Sequence, residues 1–576
     1  MVDLTKKPFY LNEEQIKWVE DTIASMSEDE KIGQLFIVMN IHRDNEERIK
    51  NIVEKYHPGG LRWQGANTHQ TWNQNRLFQQ YSKVPLLIAA NIENGAGKSI
   101  IGGTTIAPEH ACGAAPNDIP VRNMARAGGT EAKAVGCNWT FAPICDIVSN
   151  WRNTIVNNRA FGDDPDNVIM NSKAYMDEMK RIGLACCAKH FPGDGSEERD
   201  QHLNLGCNDL SVEEWENTFG RVYKELIDEG VESMMIGHIC QPALERKYNP
   251  DIKDEEIMPA TMSKTLLTDV LRGELGFNGL ITTDASHMGG MSCMAPRSYQ
   301  VPAAIAAGCD MYLYYNDADE DFEYMREGIR SGLITQERLD DALHRILGLK
   351  AKLGLNHLQF PDESGLDVVG CEKHHEMAYE SANESITLVK DTQHLLPLNP
   401  KEKKRVRLYF IESAPASIKA PTDKAKKIMV EEIEKVGFEV DLYKNFYEVE
   451  RESAGTVDLW SVLEEKESAE DFKNRYDIVL LVINMVGYAQ ENNVRLKWTI
   501  AHSNEIPWYI HEVPTIGISL NYTNHLYDVP QLKTFINAYC SEREYIRACV
   551  EKMIGQSEFK GHANDLVWCG RWETKL

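Results

Sequence analysis

The chain contains no apolar run long enough to cross a bilayer. Its first residues, Met1-Val2-Asp3-Leu4-Thr5-Lys6-Lys7-Pro8, include no apolar segment of the kind that heads a secretory leader. Neither a membrane partner nor a signal peptide is therefore expected. Positive charge is scarce: 62 Lys and Arg stand against 88 Asp and Glu, a formal net charge of -26. Such a field repels a phosphate backbone, which argues against nucleic acid as a partner. An acidic, solvated surface accounts for it, as does a preference for uncharged over anionic substrates. The 13 cysteines form no CxxC array, so neither a zinc ribbon nor a disulfide framework is indicated. An odd, dispersed set points to reduced thiols and a cytoplasmic location. No Gly-rich phosphate loop opens a helix, because Val436-Gly437-Phe438 precedes a strand-like run. Internal repeats and low-complexity tracts are also missing. No metal and no cofactor are expected.

What is present is an ordinary globular composition, 42% hydrophobic and 26% charged over 576 residues, enough for two or more domains. Short β-rich apolar runs alternate with amphipathic segments, the pattern of a parallel sheet. Eight such runs fall at residues 34–39, 60–63, 86–90, 139–144, 185–188, 233–237, 279–283 and 311–315. Capping-box spacing at Ser27/Glu30 and Ser211/Glu214 marks helix starts between them, and Gly230 marks a helix end. Eight βα repeats predict a (β/α)8 barrel over residues 1–360. A connection over 361–395 and a smaller α/β sandwich domain over 396–576 follow. The strands of that domain are expected at 406–411, 438–443, 478–483 and 515–520.

Polar residues end the apolar runs with unusual regularity. Asn91 and Glu93 follow the third run, Asp146 the fourth and Lys189 with His190 the fifth. His238 follows the sixth, Asp284 the seventh, and Asn316 with Asp317 the eighth. Barrel enzymes build their sites on this face. The fifth run leads through Phe191-Pro192-Gly193-Asp194-Gly195 into a charged loop ending Asp200-Gln201-His202. A carboxylate beside an imidazole fixes the tautomer and leaves one nitrogen for proton transfer. The same two residues also suit a plain surface loop. Asp284, ending a strand and followed by Gly289-Gly290, suits a nucleophile that a ligand can approach closely. It equally suits a cap on the next helix. Lys189 and His190 suit hydroxyl binding or local backbone contacts.

Several blocks in order carry a resemblance. They are Asn158-Arg159-Ala160-Phe161-Gly162-Asp163-Asp164-Pro165, Lys189-His190-Phe191-Pro192-Gly193 with Asp200-Gln201-His202, and Pro259-Ala260-Thr261-Met262-Ser263. Leu275-Gly276-Phe277-Asn278-Gly279-Leu280-Ile281-Thr282-Thr283-Asp284 follows, then Leu388-Val389-Lys390 with Leu395-Leu396-Pro397-Leu398. Together they resemble glycoside hydrolase family 3, specifically its β-N-acetylglucosaminidase branch, most clearly over residues 20 to 400.

That resemblance implies a retaining exo-β-glycosidase acting on a small carbohydrate substrate. Asp284 would form a covalent glycosyl–enzyme, and His202, oriented by Asp200, would serve as acid and base. Arg159, Lys189, His190, Asn91 and His238 would bind the sugar. Asn91-Ile92-Glu93-Asn94-Gly95 departs from the branch's Asp-Gln-Glu-Gly-Gly, so an amide replaces a carboxylate at Asn91. Asp194 stands where the branch often has histidine; it reads as loop structure and is the next acid in line after His202. Phosphorolysis, with phosphate replacing water, and β-glucosidase activity are close variants. A metal-dependent barrel hydrolase using His190, His238, Lys189 and Asp284, and a non-catalytic sugar-binding relative, are the other classes that the residues admit.

Overall fold

The computed structural model describes residues 2–40, 45–63, 65–412, 419–453, 455–464, 467–485, 492–496 and 498–576. The chain forms two compact units, one of residues 1–109 and 121–377, the other of 110–120 and 378–576.

The first unit is a closed barrel of eight parallel strands. They are β1 (Phe36–Asn40), β2 (Gly60–Trp63), β3 (Leu87–Ala90), β4 (Trp139–Thr140), β5 (Ala185–Phe191), β6 (Ser233–Ile236), β7 (Leu280–Ala285) and β8 (Met311–Leu313). Each pairs with its sequence neighbours, and β1 closes on β8 through Phe36↔Tyr312. All eight apolar runs of the sequence therefore become barrel strands, in order. Strand β2 starts at Gly60, where a Cβ would fall 3.1 Å from the Ile37 side chain of β1.

Strand β5 is buried along its whole length, as a strand between two others inside a ring of helices must be. Layers of side chains fill the barrel. Trp139 packs edge-on against Phe141 at 4.8 Å, and its indole N–H donates to Ser233 Oγ at 2.8 Å. Ser233 Oγ donates in turn to the Cys186 carbonyl at 2.7 Å, so no polar atom of that pair is stranded in the core.

The helix start and stop signals are realised. Ser27 and Ser211 make full capping boxes with Glu30 and Glu214. Gly230 ends its helix at φ 99°, a conformation that glycine adopts without a Cβ penalty. Among the described residues no helix is long and apolar enough to cross a membrane.

The second unit holds a six-stranded sheet: β9 (Thr387–Asp391), β10 (Arg405–Glu412), β11 (Glu439–Leu442), β12 (Ile478–Asn484), β13 (Thr515–Ser519) and β14 (Thr534–Asn537). Their order is β9-β14-β13-β12-β10-β11, parallel except for the antiparallel edge strand β9. Four of these strands fall on predicted runs. Strands β9 and β14 are additional: they pair with each other and extend the sheet at one edge.

Candidate active site

The site forms where the barrel strands end. At β3, Glu93 acts as a shared counter-ion. Arg159 Nη2 donates to Glu93 Oε2 at 3.0 Å, and Lys189 Nζ lies 3.8 Å from the same oxygen. Asn91 Nδ2 reaches Glu93 Oε1 at 3.5 Å. Burial alone would raise the Glu93 carboxyl, but Arg159, Lys189 and Lys98 outweigh it and hold the group well below the usual carboxylate range. Three residues expected to bind sugar, Arg159, Lys189 and Asn91, thus meet on one carboxylate.

Next along β5, His190 Nδ1 donates to Asp146 Oδ2 at 2.7 Å, which leaves Nε2 facing Asp284 Oδ2 at 3.8 Å. Asp146 is fully buried and also accepts the backbone N–H groups of His190 at 3.1 Å and Asp194 at 2.8 Å. It therefore fixes both the imidazole and the start of the following loop.

Asp284 lies at the end of β7, its side chain 13% exposed. Burial pushes its carboxyl up, but the imidazoles of His190, His238 and His202, with the Ala285 N–H, bring it down to about 2. It caps no helix: its Oδ1 accepts from Ala285 N at 2.6 Å, and the short helix beyond starts at Gly289.

His238, expected among the sugar-binding groups, is turned inward. Its Nε2 donates to the Ala285 carbonyl at 2.9 Å, so its Nδ1 accepts from Thr261 Oγ1 at 3.1 Å. Both ring nitrogens are occupied, which leaves none for a hydroxyl or a metal ion. Burial keeps the ring pKa below its ordinary value, in line with this neutral tautomer.

The Asp200–His202 pair is formed. His202 Nδ1 donates to Asp200 Oδ1 at 2.7 Å, and the His202 backbone N–H donates to the same oxygen at 2.8 Å. The Asp200 carboxylate is 1% exposed and the His202 ring 21%, so neither is the surface residue that the sequence also allowed. The backbone does the bending that a spacing of two requires.

Asp194, between strand and dyad, holds the loop together. Its Oδ1 accepts from Asn153 Nδ2 at 2.8 Å and from Gly195 N, and its Oδ2 accepts from Gln201 Nε2 at 3.3 Å. Burial and the neighbouring Asp146 push its carboxyl up to about 8.

The Gly289-Gly290 pair corrects one expectation. These glycines do not leave space for a ligand beside Asp284; the dyad loop fills that space. Gly289 N donates to the His202 carbonyl at 2.8 Å and Gly290 N to the Gln201 carbonyl at 3.0 Å. A Cβ at Gly289 would fall 2.4 Å from the Leu203 carbonyl oxygen. The loop carrying the imidazole and the loop following the carboxylate are thus stitched backbone to backbone.

Five groups outside the expected set complete the site. Glu93 and Asp146 were visible as strand-end acids, but their partners lie tens of residues away. Tyr314 follows β8, and its ring stacks on His287 at 6.2 Å. The Tyr314 hydroxyl is raised by burial and held back by a hydrogen bond to Arg62, which stands on β2.

An ionised carboxylate and a separately oriented imidazole at the mouth of a (β/α)8 barrel, beside a cation-and-amide cluster, define a glycosidase-type site. Comparison with known proteins agrees. Residues 27–349 match the Glycosyl hydrolase family 3 N terminal domain, and the chain belongs to that family of O-glycosyl hydrolases.

It is 38% identical over its whole length to a Beta-N-acetylglucosaminidase/beta-glucosidase of Cellulomonas fimi, and the match covers all of that protein. A solved structure named Beta-glucoside phosphorylase BglX superposes with a TM-score of 0.90 at 37% identity, covering 99% of each chain. A family 3 β-N-acetylglucosaminidase from Paenibacillus sp. str. FPU-7 shares the fold at a TM-score of 0.78 and 22% identity, covering 93% of this chain and 98% of that one.

Proposed function

We propose that the protein is a retaining exo-β-glycosidase that removes a terminal N-acetylglucosaminyl or glucosyl residue from small oligosaccharides or cell-wall fragments. Asp284 attacks the anomeric carbon as the aglycone leaves, and a covalent glycosyl–enzyme forms. His202 gives its proton to the departing oxygen. Its Nδ1–H stays on Asp200, so Nε2 is the atom that loses the proton and later takes one from the incoming acceptor. Two displacements at one carbon retain the β configuration. Lys189, Arg159 and Asn91, gathered on Glu93, hold the sugar hydroxyls. His190 sits between that cluster and the nucleophile. His238 acts as a positioning residue, holding the Ala285 carbonyl and with it the strand end that carries Asp284.

The observation that carries this reading is the backbone stitching of Gly289 to His202, which sets the carboxylate and the imidazole in one frame. A carboxylate acid–base would repel an anionic acceptor; a neutral imidazole does not. The similarity to a protein named β-glucoside phosphorylase favours a second reading, in which phosphate replaces water and the product is a sugar 1-phosphate. The 13 free cysteines support a site of action in the cytoplasm.

The test is turnover of aryl β-N-acetylglucosaminide and β-glucoside with and without phosphate, with the products identified. A phosphate-independent rate with free sugar supports hydrolysis. Sugar 1-phosphate as the main product supports phosphorolysis. No turnover of any β-glycoside in a broad panel sinks both.

A further inference from the structure

The dyad loop returns to the barrel through a short bridge that the mechanism above does not use. Residues Gly206–Cys207 and Ile239–Cys240 pair in parallel, with Gly206 opposite Ile239 and Cys207 opposite Cys240. Gly206 N donates to the His238 carbonyl at 3.1 Å and Asn208 N to the Cys240 carbonyl at 2.9 Å, which fixes that register from both sides. Directly paired residues on adjacent strands point their side chains to the same face, and their Cα atoms lie about 4.8 Å apart. That separation falls within the range of about 4.4–6.8 Å that a disulfide spans. Both thiols are free. Cys207 is half-buried, whereas Cys240 is 6% exposed.

We propose that Cys207 and Cys240 are a dithiol–disulfide modification site, and that its disulfide clamps the root of the acid–base loop to the segment that follows His238. The other cysteines of the neighbourhood offer no such pairing: Cys186 and Cys187 are consecutive in β5 and point to opposite faces of it.

The chemistry at the pair favours exchange. The hydrogen bond with Cys207 holds the Cys240 thiol below its ordinary value against burial and the Glu197 carboxylate, while the same bond, burial and Glu197 push the Cys207 thiol up. Arg199 is kept in place by Glu197, whose carboxylate also accepts the Cys207 backbone N–H. Cys240, supported by the neighbouring thiol, is therefore the more readily ionised sulfur of the pair and the one placed to start an exchange.

The oxidant is a low-molecular-weight disulfide. The Cys240 thiolate attacks one sulfur of that disulfide, forms a mixed disulfide and expels one thiolate. Cys207 then loses its proton to solvent and attacks the Cys240 sulfur, forming the Cys207–Cys240 bond and expelling the second thiolate. The two cysteine sulfurs are oxidised by two electrons in all, and the small disulfide is reduced to two thiols.

The site sits five residues beyond His202, so its state bears on how far the dyad loop can move. It does not depend on which sugar is cleaved or on the acceptor.

The test treats the full-length protein with oxidised glutathione, quenches with acid and digests with trypsin under non-reducing conditions. Cys207 and Cys240 fall in separate peptides, residues 200–221 and 225–246, each containing one cysteine. The expected result is a linked 200–221/225–246 species that dithiothreitol separates. Cys207→Ser and Cys240→Ser should each abolish it, and Cys207→Ser should retain glutathione on Cys240. Oxidised wild-type protein should unfold at a higher temperature than reduced protein, a difference that both variants lose. Recovery of glutathione adducts without the linked pair in wild-type protein would overturn the proposal, as would linkage of either cysteine to a different partner. Because wild-type protein alone supplies that result, a variant that fails to fold leaves the test intact.

Discussion

One oxygen of Asp200 accepts two hydrogen bonds from His202, from ring Nδ1 at 2.7 Å and from the backbone N–H at 2.8 Å. The double contact sets both the tautomer and the direction of the ring, so the acid–base role proposed for His202 would depend on Asp200.

His202→Ala should therefore slow cleavage of glycosides with poor leaving groups by about 10²–10⁴-fold, the usual contribution of a positioned acid–base group. A dinitrophenyl glycoside, whose leaving group needs no proton, should keep a fast first step and then accumulate glycosyl–enzyme. Pre-steady-state absorbance separates the two steps. Equal losses on both substrates would remove His202 from this role. Asp200→Asn should show the same pattern in weaker form, since an amide does not impose the tautomer.

Asp284→Gly should lower kcat/KM by at least about 10³-fold on every β-glycoside, because the nucleophile is gone while binding groups remain. Added azide should restore turnover of an activated glycoside and give the α-glycosyl azide, detectable by NMR. Full activity in the variant would end the proposed mechanism.

Glu93→Gln keeps the shape of the shared counter-ion and removes its charge. Arg159 and Lys189 are then left in a largely buried site without an anion, a loss of about 3–5 kcal/mol for a fully buried pair and less here, where Arg159 is partly exposed. The expected outcome is a lower melting temperature together with a raised KM, measured by calorimetry and steady-state kinetics. An unchanged KM would separate the cluster from the sugar.

Asp194 supplies a pH signature. Its carboxyl titrates near 3.8 in an unfolded chain and is pushed up to about 8 in the fold by burial and by Asp146. The native state thus holds more protons than the unfolded state between those values, so stability falls as pH rises through that window. Asp194→Asn, which preserves the acceptor for Asn153 and Gly195, should flatten the decline. Denaturant midpoints measured from pH 4 to pH 8 check it; an identical slope in the variant would show that the carboxyl is already ionised.

The sequence revealed more of the barrel than of its chemistry. A parallel strand covered on both faces reads as an apolar run, and Ala185–Phe191 or Leu280–Ala285 cannot be mistaken. Strand β14, Thr-Phe-Ile-Asn, is four residues long and exists because β13 and β9 flank it, which no local pattern announces. The site followed the same division. Asp284, Asp200, His202 and Lys189 lie in contiguous motifs. Glu93 is separated by 66 residues from Arg159, and only closure of the barrel brings the two together. His238 looked like its neighbours at other strand ends; what turns it inward are Thr261 and the Ala285 carbonyl, both more than 20 residues away. Gly289 and Gly290 signalled close approach correctly, but the approaching group is backbone.

Gly193, just after β5, has φ 120°, and a Cβ there would fall 2.1 Å from the Phe219 ring. In the same region Trp215 Nε1 donates to the Pro192 carbonyl at 2.8 Å. The helical stretch running from Val212 to Glu229 on the barrel's outer layer is therefore the seat on which the acid–base loop rests. Natural drift or deliberate repacking at Phe219 or Trp215 would reach the loop that carries His202, the proposed acid–base group, from outside the pocket. Tuning of this enzyme's rate and selectivity is thus open to positions that a search confined to the substrate's surroundings would pass over.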